Sequence, residues 1–160
     1  MTIKVGDSVP STTFRVMTAE GPKPMPSEEV FKGKKVVLFA VPGAFTPTCS
    51  KNHLPGFVKN ASAIKAKCIE AIAVTAVNDP FVMDAWKKAA GSEDIEFLAD
   101  GSADFAKAVG LELDASAGGL GMRSKRYCMV VDNGVVKSLA IEDSPGKADV
   151  SGADALLKSL

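Results

Sequence analysis

One cysteine stands where the sequence favours a reactive thiolate. Residues 41–50 read VPGAFTPTCS, and they follow an apolar run, 36–41, that predicts a strand buried on both faces. Thr46 is a favoured N-cap residue and Pro47 suits the first helical position, so a helix is expected to begin here. Cys49 then falls in the first turn, where free amide groups and the helix dipole favour a thiolate. We predict that Cys49 is a nucleophile; the alternative is a small buried thiol.

The only histidine, His53, lies one helical turn after Cys49 and could share its face of the helix. A cysteine and histidine pair is typical of cysteine hydrolases, but those enzymes bring the histidine from a distant segment and need a third, orienting group. His53 is therefore expected to be structural or to support the site. Zinc is another alternative, since Cys49, Cys68, Cys128 and this histidine would supply four ligands, but no C-x-x-C spacing supports it. We expect neither a metal nor a cofactor.

The composition predicts one domain in a reducing compartment. The chain has 160 residues, 46% of them hydrophobic, which suffices for one well-buried core, so residues 1–160 are expected to form a single domain. Lysine plus arginine equals aspartate plus glutamate at 19 each, which argues against nucleic acid or an anionic membrane as a partner. No apolar run approaches the ~20 residues of a spanning helix, and the start lacks the apolar core of a signal peptide. The three cysteines show no paired spacing, so a cytoplasmic location is expected.

The elements that must position Cys49 alternate between strand and helix. The predicted strands are 12–16, 36–41, 69–77, 95–99, 126–131 and 135–141, the last two forming a hairpin over Asp132-Asn133-Gly134. The predicted helices are one from Cys49 toward Lys67 with a kink at Pro55, one after 78–80, one after 100–102 and one over 150–160. Residues 21–26 are expected to form a proline-rich loop, and Ser27 to cap a helical turn. Parallel units followed by an antiparallel hairpin predict an α/β protein with a mixed central sheet flanked by helices.

Three separated blocks of the sequence resemble the peroxiredoxins. Pro42, Thr46 and Cys49 stand as P-x-x-x-T-x-x-C, and the run CSKNHLPGF is similar to the type II, or atypical two-cysteine, branch of that family. Similar blocks occur at 77–83 and 119–127 in the family's order, so the resemblance covers nearly the whole chain. It implies a thioredoxin-like fold, reduction of hydrogen peroxide and alkyl hydroperoxides, and a homodimer.

Peroxide reduction needs an anionic sulfur and hydrogen-bond donors aimed at both oxygens. Thr46 could place a hydroxyl there, or it could act only as a helix cap. The resemblance assigns the family's catalytic arginine, which directly precedes an aromatic residue at the start of a strand, to Arg126, with Arg123 as a supporting candidate. From the sequence alone, both arginines belong to a solvated basic turn. The resemblance also implies that Pro42, otherwise only a strand terminator, shields the thiolate from water.

The way in which an oxidised Cys49 would be recycled departs from the two-cysteine pattern. A sulfenic acid must meet a thiol before it oxidises further. Atypical two-cysteine members carry a resolving cysteine late in the chain, but residues 142–151 contain none, and Cys68 and Cys128 are expected to be packed or partly buried. We predict a one-cysteine cycle in which glutathione with glutaredoxin, or thioredoxin, supplies the resolving thiol. The rival hypothesis is a redox sensor, in which oxidised Cys49 changes a protein interface without turnover.

Overall fold

The apolar runs of the sequence form the strands of a mixed sheet. The computed structural model describes residues 2–160, apart from the side chains of Cys49 and Ser50. The strands are β1 (Thr13–Thr18), β2 (Gly21–Pro26), β3 (Lys35–Ala40), β4 (Ala71–Ala76), β5 (Ile95–Ala99), β6 (Glu112–Asp114), β7 (Met122–Ser124), β8 (Tyr127–Asp132) and β9 (Val135–Ile141). The α-helices are α1 (Ser27–Phe31), α2 (Leu54–Lys65), α3 (Pro80–Ala90), α4 (Asp104–Ala108) and α5 (Ala153–Ser159). Within residues 2–160, no helix has the length and apolar character needed to cross a membrane.

The strand order brings two distant parts of the chain to one edge of the sheet. Seven of the described strands pair in the order β2-β1-β5-β4-β3-β8-β9, with β3, β4 and β5 parallel and β8 antiparallel to β3. In that register Ala40, the last residue of β3, lies opposite Tyr127, the first residue of β8. The loop that leads to Cys49 therefore leaves the sheet beside Arg126, and the predicted mixed α/β sheet is confirmed.

Alternate residues of β3 enter hydrophobic clusters on opposite faces of the sheet. Val37 and Phe39 join the cluster covered by α2, α3 and α5, whereas Val36 and Leu38 join the one covered by α1 and α4. In the first cluster the ring of Phe57 from α2 stacks on Phe39, with 4.0 Å between ring centroids and an interplanar angle of 7°. This contact fixes the start of α2, and with it the preceding turn, against the sheet.

The proline-rich segment that the sequence predicts as a loop is instead the edge strand β2, so that prediction is wrong. Pro22, Pro24 and Pro26 occupy alternate positions of the strand, each opposite a residue of β1. Alternate residues of an antiparallel strand turn their backbone N–H groups to the same side. The three prolines therefore lack donors only on the outer side, where an edge strand has no neighbour to receive them.

The helix that contains Cys49 differs from the prediction in its first turns. The chain becomes helical at Pro47 as expected, but Cys49–His53 form a π-helical turn before α2 begins. Pro55 lies in the first turn of α2 and has no amide hydrogen to donate to the carbonyl of the preceding turn. The irregularity thus precedes Pro55 as a wider turn, a feature often found at functional sites.

The roles of polar residues at helix and hairpin ends agree with the sequence-based predictions in two places and differ in a third. Asp79 caps α3 by accepting a hydrogen bond from the Val82 amide at 2.8 Å. Asn133 has a φ of 49°, as the predicted hairpin turn between β8 and β9 requires. Ser27 is not a cap: it is the first residue of α1, and its hydroxyl donates to the Pro10 carbonyl at 3.0 Å.

Candidate active site

The loop between β3 and Cys49 is held by one hydrogen bond to a distant segment and one within the loop. Pro42 and Gly43 are buried at the end of β3. The Ala44 amide donates to Asn78 Oδ1 at 2.9 Å, which ties the loop to the segment after β4. The Thr46 hydroxyl donates to the Gly43 carbonyl at 2.7 Å and closes a tight turn. Two of the predicted site residues, Pro42 and Thr46, therefore belong to one constrained loop.

Cys49 is the first residue of the π-helical turn Cys49–His53. Its side chain lies outside the described residues, so its role as nucleophile stays a prediction. Both flanks of the turn are fixed. The hydroxyl of Thr48 donates to the Gly146 carbonyl at 3.2 Å, and His53 ends the turn in a buried position. The backbone at Cys49 is thus attached on one side to the loop between β9 and α5 and on the other to the core.

Arg126 is buried, so the alternative of a solvated basic turn is wrong for this residue. Its Nε and Nη2 atoms donate to the Pro145 carbonyl oxygen at 3.2 and 3.0 Å, and its Nη1 atom donates to His53 Nδ1 at 2.9 Å. Three directed hydrogen bonds fix the plane of the guanidinium, a group that stays charged at any physiological pH. Arg126 is therefore bonded directly to His53, the last residue of the turn that begins at Cys49.

His53 is a neutral hydrogen-bond acceptor for Arg126. An arginine can only donate, so His53 Nδ1 must accept, and the ring proton lies on Nε2, which donates to the Ser151 carbonyl at 2.9 Å. Burial lowers the pKa of His53 to about 4; the hydrogen bond to Ser151 opposes this shift and the charge of Arg126 adds to it. The rings of Phe39 and Phe57 pack against the imidazole at 5.0 and 5.5 Å. With both nitrogens engaged, His53 is poorly suited to be the base of a cysteine hydrolase.

Glu142 and Ser151 also belong to this network, although the sequence did not indicate them. Glu142 Oε2 accepts hydrogen bonds from the Ser151 amide at 2.7 Å and from the Ser151 hydroxyl at 2.6 Å. The Glu142 amide donates to the Arg126 carbonyl at 3.0 Å. Both side chains are buried at opposite ends of the loop between β9 and α5. Their separation of nine residues matches no helical or strand spacing, so only the fold reveals the pair.

Arg123 lies against Gly43 of the loop between β3 and Cys49. Its Nε atom donates to the Leu120 carbonyl at 2.9 Å, and its Nη1 atom donates to the Val77 carbonyl at 3.3 Å. A Cβ atom added to Gly43 would lie 3.1 Å from Arg123 Nη1, so only a glycine fits comfortably against this guanidinium. Arg123 therefore joins three loops at the rim of the site, and its supporting role in catalysis stays a prediction.

The other two cysteines lie in different environments. Cys68 is exposed in the turn after α2, so the prediction that it is packed or partly buried is wrong. Twelve residues of helix, about 18 Å, separate that turn from His53, which is too far for the four-ligand zinc alternative considered from the sequence. Cys128 is buried in β8, and burial raises the pKa of its thiol to about 12. Among the described side chains, no three His, Cys, Asp or Glu residues are grouped to hold a metal.

Comparison with known proteins shows similarity along nearly the whole chain. The Redoxin family profile matches residues 4–157. Peroxiredoxin-2C from Oryza sativa subsp. japonica is 46% identical over 160 residues, which cover 99% of this chain and 98% of the relative. Chloroplastic Peroxiredoxin-2E-2 from the same organism is 47% identical over 165 residues, covering 99% and 73%. The solved structure of reduced Prx3 in complex with H2O2 from Vibrio vulnificus is 51% identical, with a TM-score of 0.94 and 98% of each chain covered.

The buried histidine predicts how stability depends on pH. The pKa of His53 is 6.5 without the fold and about 4 within it, so the unfolded chain binds one more proton between these values. The free energy of unfolding should therefore fall as the pH falls from 6.5 toward 4, with the unfolding constant rising by up to about tenfold per pH unit from this group. Urea denaturation followed by circular dichroism, for the wild type and His53→Gln, measures the difference. A pH dependence that is the same in both proteins would contradict a neutral buried His53.

Proposed function

This chain belongs to the Redoxin family, and within it to the type II peroxiredoxins, and on that premise we propose that Cys49 is the residue with which it reduces peroxides. The protein has the thioredoxin-like fold of that family and is a thiol-dependent peroxidase. The observation that carries the assignment of the site is the buried Arg126, held by His53 at the end of the turn that starts with Cys49. A permanent positive charge is thereby fixed next to the segment that carries the predicted nucleophile.

In the proposed reaction the Cys49 thiolate attacks the terminal oxygen of a hydroperoxide. A sulfur–oxygen bond forms, the oxygen–oxygen bond breaks, and the leaving alkoxide or hydroxide takes a proton to give an alcohol or water. The cysteine becomes a sulfenic acid. Negative charge moves from sulfur to the leaving oxygen during this step, and the fixed guanidinium of Arg126 stabilises it. The fixed hydrogen bonds to Pro145 and His53 mean that little reorganisation of the arginine is needed as the charge moves.

Thr46 and Pro42 complete the proposed catalytic set. The hydrogen bond from the Thr46 hydroxyl to the Gly43 carbonyl sets the direction of the hydroxyl oxygen, which we infer to orient the peroxide. Pro42 is buried between the end of β3 and this loop, where its ring excludes water from the thiolate. We infer that hydrogen peroxide and small alkyl hydroperoxides are the substrates; the complex of the Vibrio vulnificus protein with H2O2 supports the first of these.

An external thiol is proposed to complete the cycle. The sulfenic acid condenses with that thiol to give a mixed disulfide and water, and a second thiol then releases Cys49. Cys68 lies beyond the far end of α2, and the Cys128 thiol is buried with a raised pKa, which disfavours either as the resolving residue. Glutathione with glutaredoxin, or thioredoxin, is therefore the proposed reductant.

Stopped-flow oxidation by hydrogen peroxide tests this function. We expect rapid oxidation of the wild type and none in Cys49→Ser, with repeated turnover when glutathione and glutaredoxin, or thioredoxin, is added. Cys68→Ser and Cys128→Ala should retain both steps, whereas Thr46→Val and Pro42→Ala should oxidise more slowly. Oxidation no faster than that of a free thiol would reject the proposed site. Consumption that stops after about one equivalent would instead indicate a redox sensor.

We infer that the second partner is another copy of the chain. Phe45, Phe81, Leu120 and Met122 are large apolar side chains that are exposed. The segments that carry them are joined to one another, because Ala44 bonds to Asn78 and Arg123 bonds to the carbonyls of Val77 and Leu120. We infer that the four side chains form one apolar surface at the rim of the site, which we call the rim patch. Exposed apolar surfaces of this kind are typical of protein interfaces, and a homodimer would cover this one.

A charge within the rim patch should separate the dimer. Phe81 is 65% exposed, so Phe81→Glu is expected to fold normally and to elute as a monomer, while the wild type elutes as a dimer. Val5→Glu is the matched control: Val5 is 57% exposed, and its neighbour Gly6 bonds to Val136, away from the patch. Light scattering after gel filtration gives the mass. A monomeric wild type, or a dimeric Phe81→Glu variant, would count against this interface.

We also infer that residues 1–160 act as one domain in the cytoplasm. The single domain is supported by the β3 side chains, which alternate between clusters on both faces of one sheet. The cytoplasmic location is supported by the absence of paired cysteine spacing. A single cooperative unfolding transition and recovery in the cytosolic fraction are the expected results. Two transitions, or recovery in an organelle, would overturn them.

A further inference from the structure

We propose that Glu142 is a positioning residue for Arg126, acting through Ser151 and His53. The proposal rests on the catalytic role proposed for Arg126. We call these four residues, Glu142, Ser151, His53 and Arg126, the relay. All four are almost fully enclosed, with exposed fractions of 8%, 0%, 1% and 2% in that order. Buried polar groups lose most when a partner is removed, because water has no room to take its place. Each link of the relay therefore depends strongly on the one before it.

The first link fixes the orientation of the Ser151 peptide. One carboxylate oxygen, Glu142 Oε2, accepts hydrogen bonds from both the amide and the hydroxyl of Ser151, at 2.7 and 2.6 Å. A charged acceptor makes such bonds stronger than a neutral one would. These bonds hold the amide and the side chain of Ser151, and the Gly152 amide, which shares a peptide group with the Ser151 carbonyl, donates to the Asp149 carbonyl at 3.4 Å. The Ser151 carbonyl is thereby kept at 2.9 Å from His53 Nε2.

The second link turns that carbonyl into a constraint on the arginine. Because Nε2 carries the ring proton and donates a hydrogen bond to Ser151, the lone pair of His53 lies on Nδ1. Nδ1 is the atom that accepts from Arg126 Nη1 at 2.9 Å. If the Ser151 carbonyl moved away, Nε2 would lose its acceptor, and the ring would be free to rotate or change tautomer. A ring nitrogen that carried a proton toward Arg126 could no longer accept from it.

The loop that Glu142 closes also touches the site directly. Pro145 and Gly146 lie between Glu142 and Ser151, and their carbonyls accept from Arg126 and from Thr48 respectively. The two hydrogen bonds between Glu142 and Ser151 therefore help to hold both acceptors of the guanidinium, His53 and the Pro145 carbonyl. Loss of this single carboxylate should shift Arg126 without removing any group that touches it.

The first test separates positioning of Arg126 from general damage to Cys49. In a Cys68→Ser background, Glu142→Gln is compared with the parent for oxidation by hydrogen peroxide and for alkylation by iodoacetamide at a pH where the thiol is ionised. Since a misplacement of about 1 Å can cost about 100-fold in rate, we expect oxidation to slow by at least about tenfold. Alkylation does not depend on a peroxide aligned by Arg126, so we expect its rate to change by less than about twofold.

A buried carboxylate elsewhere provides the matched control. Asp100 accepts hydrogen bonds from the amides of Phe105 and Ala106, both at 3.0 Å, and serves the cluster on the other face of the sheet. Asp100→Asn should therefore lower stability without slowing oxidation of the folded protein. Where Glu142→Gln fails to fold, Ser151→Ala removes one of the two bonds to the carboxylate and serves in the same comparison.

A double-mutant cycle identifies the route. In an Arg126→Gln background, Glu142→Gln is expected to slow oxidation by less than about twofold, because the group that it positions has gone. Equal oxidation rates for Glu142→Gln and the parent, a multiplicative loss in the cycle, or an equal loss in the alkylation rate would each overturn the proposal. An Arg126→Gln protein that oxidises as fast as the parent would reject the role of Arg126 itself, which is a distinguishable result.

Discussion

The arrangement of the site follows from the burial of one guanidinium. A buried Arg126 is stable only if its N–H groups meet acceptors, and a carbonyl and an imidazole nitrogen accept three of its hydrogen bonds. Burial is the main reason that His53 is neutral, and the charge of Arg126 adds to it. The neutral ring then has the lone pair that Arg126 needs as an acceptor. The requirement for acceptors explains why the loop between β9 and α5 passes Pro145 so close to the start of β8.

The sheet supplies the rigid frame for this contact. Because Ala40 pairs with Tyr127, the end of β3 and the start of β8 lie side by side, although the two strands are far apart in the sequence. The stacked rings of Phe39 and Phe57 then lock α2 to the sheet, and His53 packs against both rings. A site mounted on packed elements in this way holds its geometry more closely than one carried by loops alone.

Local patterns in the sequence were sufficient for most of the fold and for part of the site. Short, mainly apolar segments predicted β3, β4 and β5, and Asp132-Asn133-Gly134 predicted the hairpin that follows Arg126. Three prolines in alternate positions concealed the edge strand β2, because proline usually marks a loop. The sequence placed the irregularity of this helix at Pro55, whereas it is a π-helical turn over Cys49–His53, just before the proline. The acceptor at Pro145 is a backbone carbonyl and leaves no mark in the sequence.

The most direct measurement of the role of Arg126 is the rate constant for oxidation of the Arg126→Lys variant by hydrogen peroxide. Lysine keeps the positive charge but lacks the planar fork that bonds at once to Pro145 and His53. If the fixed geometry of the guanidinium drives the reaction, the rate constant should fall about 100-fold. A rate within about twofold of the wild type would show that charge alone suffices, and would contradict the central role of the buried, oriented arginine.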